Sequence, residues 1–92
     1  MDLQEQLQIA HVIIGQNQAM INSYIHRRLR LTHEELQDVE RMEERNEYLQ
    51  RIIVAIEETM RDRPGLEARV SEADMHAYIV RKAKRLRSPV AG

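Results

Sequence analysis

The residues best suited to chemistry lie in two basic clusters. In "SYIHRRLRLTH", residues 23–33, Tyr24, His26, Arg27, Arg28, Arg30 and His33 share one short stretch. Guanidinium groups fork onto phosphate or carboxylate oxygens. The cluster also precedes a helix start, where free backbone N–H groups and the helix dipole favour an anion. A phosphate or carboxylate site is the chemistry this pattern would supply. The structural alternative is charge balance, in which cations suit the C-terminal end of one helix and face the acids that open the next. Glu34, Glu35 and Asp38 follow directly and would repel an anion, which favours the alternative.

The second cluster is "RKAKRLR", residues 81–87, where Arg81, Lys82, Lys84, Arg85 and Arg87 place five positive charges in seven positions. A basic helical stripe can contact nucleic-acid phosphates, an anionic surface or an acidic partner. Tyr78 is the one nearby ring for stacking, and no helix-turn-helix or RNP-like motif accompanies the stripe. A solvated basic helix end is the commoner meaning of such a run. Docking onto Glu40, Glu43, Glu44 and Glu47 is another.

Catalytic patterns are poor. His11, His26, His33 and His76 are scattered, and "HEELQ" at 33–37 lacks the second histidine of a zinc-binding helix. There is no glycine-rich phosphate loop and no nucleophile elbow. The chain has no cysteine, so thiolate metal sites and disulfides are excluded. The expectation is a protein that is not an enzyme and has no cofactor or metal centre.

These clusters must be positioned by helices. Ninety-two residues make one domain at most. There is no Phe or Trp, 42% of residues are apolar, almost all aliphatic, and 32% are charged. That balance suits helix packing rather than a β-sandwich. The net charge of −1 hides segregation: residues 1–23 carry −2, 24–33 carry +3, 34–62 carry −6 and 81–92 carry +5. "MDLQEQ" lacks the basic start of a secretory signal, and no apolar run is long enough to span a membrane. A soluble, cytoplasmic protein is expected.

Two helix starts are well marked. At "LTHEEL", Thr32 and Glu35 have capping-box spacing, with Leu31 and Leu36 at the hydrophobic-staple positions. At "VSEADM", Ser71 and Asp74 have the same spacing, flanked by Val70 and Met75. "RDRPG" at 61–65 is the one clear break. The spacing predicts helices over about 3–29, 33–62 and 72–87, with a Pro/Gly linker at 63–70 and a basic C-terminal helix and tail at 71–92.

The first two helices carry heptad rows. Leu3, Leu7, Ala10, Ile14, Asn17, Ile21 and Tyr24 alternate spacings of four and three, as do Val39, Met42, Asn46, Leu49, Ile53, Ile56 and Met60. A strand at "HVIIGQNQAM" would break the first row. Folding the chain at Leu31–Thr32 lays the rows antiparallel, from Leu3 against Met60 to Tyr24 against Val39. Asn17 then falls opposite Asn46, where the two amides can satisfy each other and select one register; reaching solvent separately is the alternative. Gly15, costly inside a helix, suggests a close approach by another helix.

The resulting fold class is all-α: an antiparallel coiled-coil helical hairpin plus a C-terminal amphipathic helix. Helix one has a second apolar row, Ile9, Ile13 and Met20, that a single facing helix cannot cover. Helix three or a second copy of the chain must pack there, and the surplus favours a homo-oligomer, with a dimer first. The expected function is a protein–protein interaction module (adaptor, inhibitor or assembly factor) docking through Ile9, Ile13, Met20, Tyr78 and Ile79, with Asn17 and Asn46 setting register. The alternative is an anion- or nucleic-acid-binding regulator using Tyr24, His26, Arg27, Arg28, Arg30 and the basic C-terminal helix.

Overall fold

A computed structural model describes residues 2–27 and 30–86. Three α-helices follow in order, α1 (Leu3–His26), α2 (His33–Asp62) and α3 (Glu72–Arg85), and no strand occurs among the described residues. Each helix begins on a side-chain cap. Asp2 accepts from the Glu5 N–H at 2.8 Å. Thr32 accepts from the Glu35 N–H while the Glu35 carboxylate accepts from the Thr32 N–H, both at 3.1 Å, completing a reciprocal box. Ser71 accepts from the Asp74 N–H at 3.1 Å. The Asp2 cap has the same three-residue spacing as the other two and was equally visible in the sequence, yet the sequence reading marks only Thr32 and Ser71.

The breaks are equally local. Arg63 donates its N–H to the Thr59 carbonyl at 2.8 Å and closes α2, before Pro64 and Gly65 turn the chain. Gly65 adopts φ 79°, a left-handed conformation that side chains resist. Leu66–Ala68 then form a 3₁₀ turn within the expected linker. Glu67 on this turn accepts from the Leu3 N–H at 2.7 Å, satisfying one of the free donors at the start of α1. Helix α1 stops earlier than expected, with Arg27 as its cap, and α3 stops at Arg85 with Leu86 as its cap.

Helices α1 and α2 run antiparallel. Leu3 packs with Ala55 and Ile56, Asn17 bonds to Asn46, and Arg27 reaches Glu35. Helix α3 packs mainly on α2. Met75, Ile79 and Ala83 of α3 meet Ala55 and Ile56 of α2 and Leu3 of α1 in one buried cluster. Small residues permit this close approach: Ala55 and Ala83 are buried, as is Thr59, whose hydroxyl donates to the Ala55 carbonyl at 2.7 Å instead of meeting an apolar wall unpaired. Around the cluster lie Leu7, Ile52, Leu66, Val70, Tyr78 and Leu86.

Helix length decides what stays uncovered. At 1.5 Å per residue, α2 is about 45 Å long, α1 about 36 Å and α3 only about 21 Å. Helix α3 therefore covers one half of the hairpin, the half holding both chain ends of α1–α2. The half towards the bend is two helices thick. The chain is correspondingly extended, with a radius of gyration of 15.8 Å against about 12 Å for a compact domain of this length.

Two expectations need correcting. Met60, assigned to the seam, is exposed, because it lies at the level where α1 begins and nothing further covers it. And among the described residues no helix approaches Gly15: a Cβ there would meet nothing within 4 Å. Gly15→Ala is therefore expected to stabilise the fold by about 0.5–1 kcal/mol, by removing unfolded-state freedom from a helix interior. A urea titration that shows destabilisation instead would mean that the site is occupied in solution.

Candidate functional site

The uncovered surface centres on α1. From Gln6 to Ile25 the helix contains no Asp, Glu, Lys or Arg, in a chain where 32% of residues are charged. A helix face turned to water usually carries charge. Here Ile9 is 45% exposed, Met20 56% and Val12 57%, and Ile13 is half-buried. Ile9 and Ile13 border a groove of about 310 Å³ with Tyr48 and Ile52 of α2 and His76 and Val80 of α3. So Ile9 and Ile13 share one apolar channel, and Met20 continues their row towards the bend, away from α3.

The other two expected docking residues fall elsewhere. Ile79 is only 2% exposed and belongs to the chain's own core, so it is not available to a partner. Tyr78 is half-buried and packs against that core. The reason is the docking site of α3. Tyr48, Ile52, Ala55 and Thr59 form a second row on α2, spaced four, three and four, and α3 lies along it. That spacing was visible in the sequence; its alanine and threonine made it look weakly apolar.

A second groove, of about 360 Å³, opens on the opposite side between His11, Ile14, Ile53, Val54 and Leu86. Arg51 borders it. Its guanidinium lies over the Tyr48 ring at 5.9 Å, and its Nε is buried without a hydrogen-bond partner.

Asn17 and Asn46 meet. Asn17 Nδ2 donates to Asn46 Oδ1 at 2.9 Å; Asn46 is buried and Asn17 half-buried. Each amide is both donor and acceptor, so facing copies satisfy one another where a facing leucine could not.

At the bend, Arg27 of the expected anion cluster is engaged internally. Arg27 lies over the Tyr24 ring at 5.3 Å and pairs with Glu35 at 3.4 Å. One of the free N–H groups of α2, that of Glu35, is already met by the Thr32 hydroxyl, and hydrogen bonding to the Thr32 backbone, with Arg27 nearby, holds the Glu35 carboxyl below its ordinary pKa. A carboxylate thus sits where an anion would bind. His26 and Arg30 are exposed, and Arg28 lies outside the described residues. On α3, Lys82 pairs with Glu58 of α2 at 3.5 Å, while Arg81, Lys84 and Arg85 are exposed; Arg87 lies outside the described residues. Among the described residues no group of three His, Cys, Asp or Glu could hold a metal ion, and no helix is long and apolar enough to cross a membrane.

Comparison with protein-family models, with curated proteins and with solved structures finds no match.

Proposed function

We propose that this chain is a small, non-enzymatic protein–protein interaction module, with α1–α2 forming an antiparallel coiled-coil hairpin whose outer α1 face docks against a partner helix. One observation carries the reading: twenty consecutive uncharged residues, Gln6–Ile25, on a helix whose apolar row stays open to solvent. The chain exposes 6957 Å², whereas a compact monomer of its mass would expose about 5,600 Å². The excess, about 1,400 Å² by the same scaling, accompanies the elongated shape of the chain. The role is that of an adaptor, inhibitor or assembly factor, with Ile9, Ile13 and Met20 as anchors.

Nucleic-acid binding is the weaker reading. Lys82 is paired within the fold, and Arg81, Lys84 and Arg85 have no stacking ring free beside them, since Tyr78 packs inward.

The test is capture from the native host with wild type and with Met20→Lys, a change at an exposed position. Burying an unpaired ammonium in an apolar contact should weaken capture at least about tenfold while leaving helicity unchanged. Equal capture by both proteins would sink the assignment of this face.

A further inference from the structure

The partner that fits the α1 face is a second α1. We infer that two copies of this chain pair through α1 in antiparallel fashion about a two-fold axis; this rests on the docking role of that face proposed above and names its occupant. The argument begins with the row itself. Asp2, Gln6, Ile9, Ile13, Gln16, Met20, Ser23 and Arg27 alternate spacings of four and three along one side of α1. The row is symmetric about the point between Ile14 and Gly15, which is also the midpoint of the helix Leu3–His26. Antiparallel pairing about that point sets Ile9 against Met20 of the second copy and Ile13 beside Gln16.

Given the centre, the symmetry of spacing is automatic. The chemistry is not. The apolar residues fall in the middle, and the outermost pair is Asp2 with Arg27, opposite charges that a parallel arrangement would set against their own kind. Both are exposed, so they act on orientation more than on affinity. Gln16 sits beside Ile13 of the second copy, and within about one helical turn of its own copy, so its amide, which both donates and accepts, has a partner in reach near the axis. A face without charge for twenty residues can also be apposed to itself with no like-charge repulsion. Opposed helix dipoles add to this. The pairing fills the groove beside Tyr48 and covers the half of the hairpin that α3 leaves bare.

The experiment measures mass and register. Sedimentation equilibrium of the full chain should give twice its 10.9 kDa, and Met20→Lys should return it to the single-chain mass with its circular dichroism unchanged. Register is read by cross-linking, since the chain has no cysteine of its own. Ile9→Cys and Met20→Cys proteins, mixed and oxidised, should give the mixed disulfide dimer. Neither alone should cross-link, because in the antiparallel pair each position lies roughly 16 Å along the axis from its own copy, beyond the ~7 Å limit between Cα atoms. Cross-linking of each variant with itself would show parallel pairing and overturn the inference. So would a dimer that gives no cross-link in the mixture, or a single-chain mass at all loadings. A monomer that still captures a host protein, and loses it with Met20→Lys, would overturn the self-pairing but leave the docking role standing.

Discussion

Ile56→Ala is expected to lower the free energy of unfolding by roughly 2–5 kcal/mol, the range for truncating a fully enclosed aliphatic side chain. Ile56 has 0% exposure and belongs to the cluster that joins all three helices. Neighbouring side chains come from α1 and α3, so no single helix can shift to close the cavity without parting from another. A chain of this size has in total about 5–14 kcal/mol to lose. A single substitution should therefore remove between about a seventh of its stability and nearly all of it. Urea titration followed by circular dichroism measures this directly. A loss under about 1 kcal/mol, the scale of an Ile→Val change, would mean that α3 does not dock as described.

The second large effect concerns the two amides. Asn17→Leu should cost about 1–3 kcal/mol, because it strands the Asn46 amide in a buried site without its partner. Asn46→Leu should cost less, since Asn17 retains some access to water. Asn17→Leu combined with Asn46→Leu should recover wild-type stability or exceed it, because two apolar side chains then meet in the seam and no polar group is stranded. The three proteins and the wild type close a double-mutant cycle. If the two losses simply add, the amides do not interact. Recovered stability has a predicted penalty: without the amide pair, a slip between α1 and α2 would no longer strand a buried amide.

The helices were legible because their signals are local and repeated. Thr32 and Glu35 mark a helix start through a motif four residues long, and the two heptad rows admit an antiparallel fold-back that brings Asn17 to Asn46. The place of α3 was not legible in the same way. Its apolar face, Met75, Ile79 and Ala83, was evident, but its receptor on α2 includes Ala55 beside Ile52 and Ile56, and the alanine packs by being small. Hydrophobic periodicity weighs size and greasiness, so a row that works by close approach is easily overlooked. Ile79 was consequently assigned to an outer surface when it belongs to the core. The anion cluster at the bend shows another limit of the sequence. Residue types near a helix start suggest ligand binding, but whether those groups are already engaged depends on side-chain geometry, here the Arg27–Tyr24 and Arg27–Glu35 contacts.

Helix α3 ends its coverage partway along the hairpin, and this divides the molecule by how readily its backbone opens. Around Ile56 and Ile79, breaking a helical hydrogen bond requires separating three packed elements, so amide protons there exchange only with the opening of the whole core. Towards the bend, Val39 and Met42 are merely half-buried and Leu36 and Ile25 are exposed, so that end can breathe while the rest stays closed. The uncharged row on α1 runs from the three-helix half into the two-helix half. In the docking role proposed above, Ile9 would be offered on the more firmly packed surface and Met20 on the part expected to open more readily.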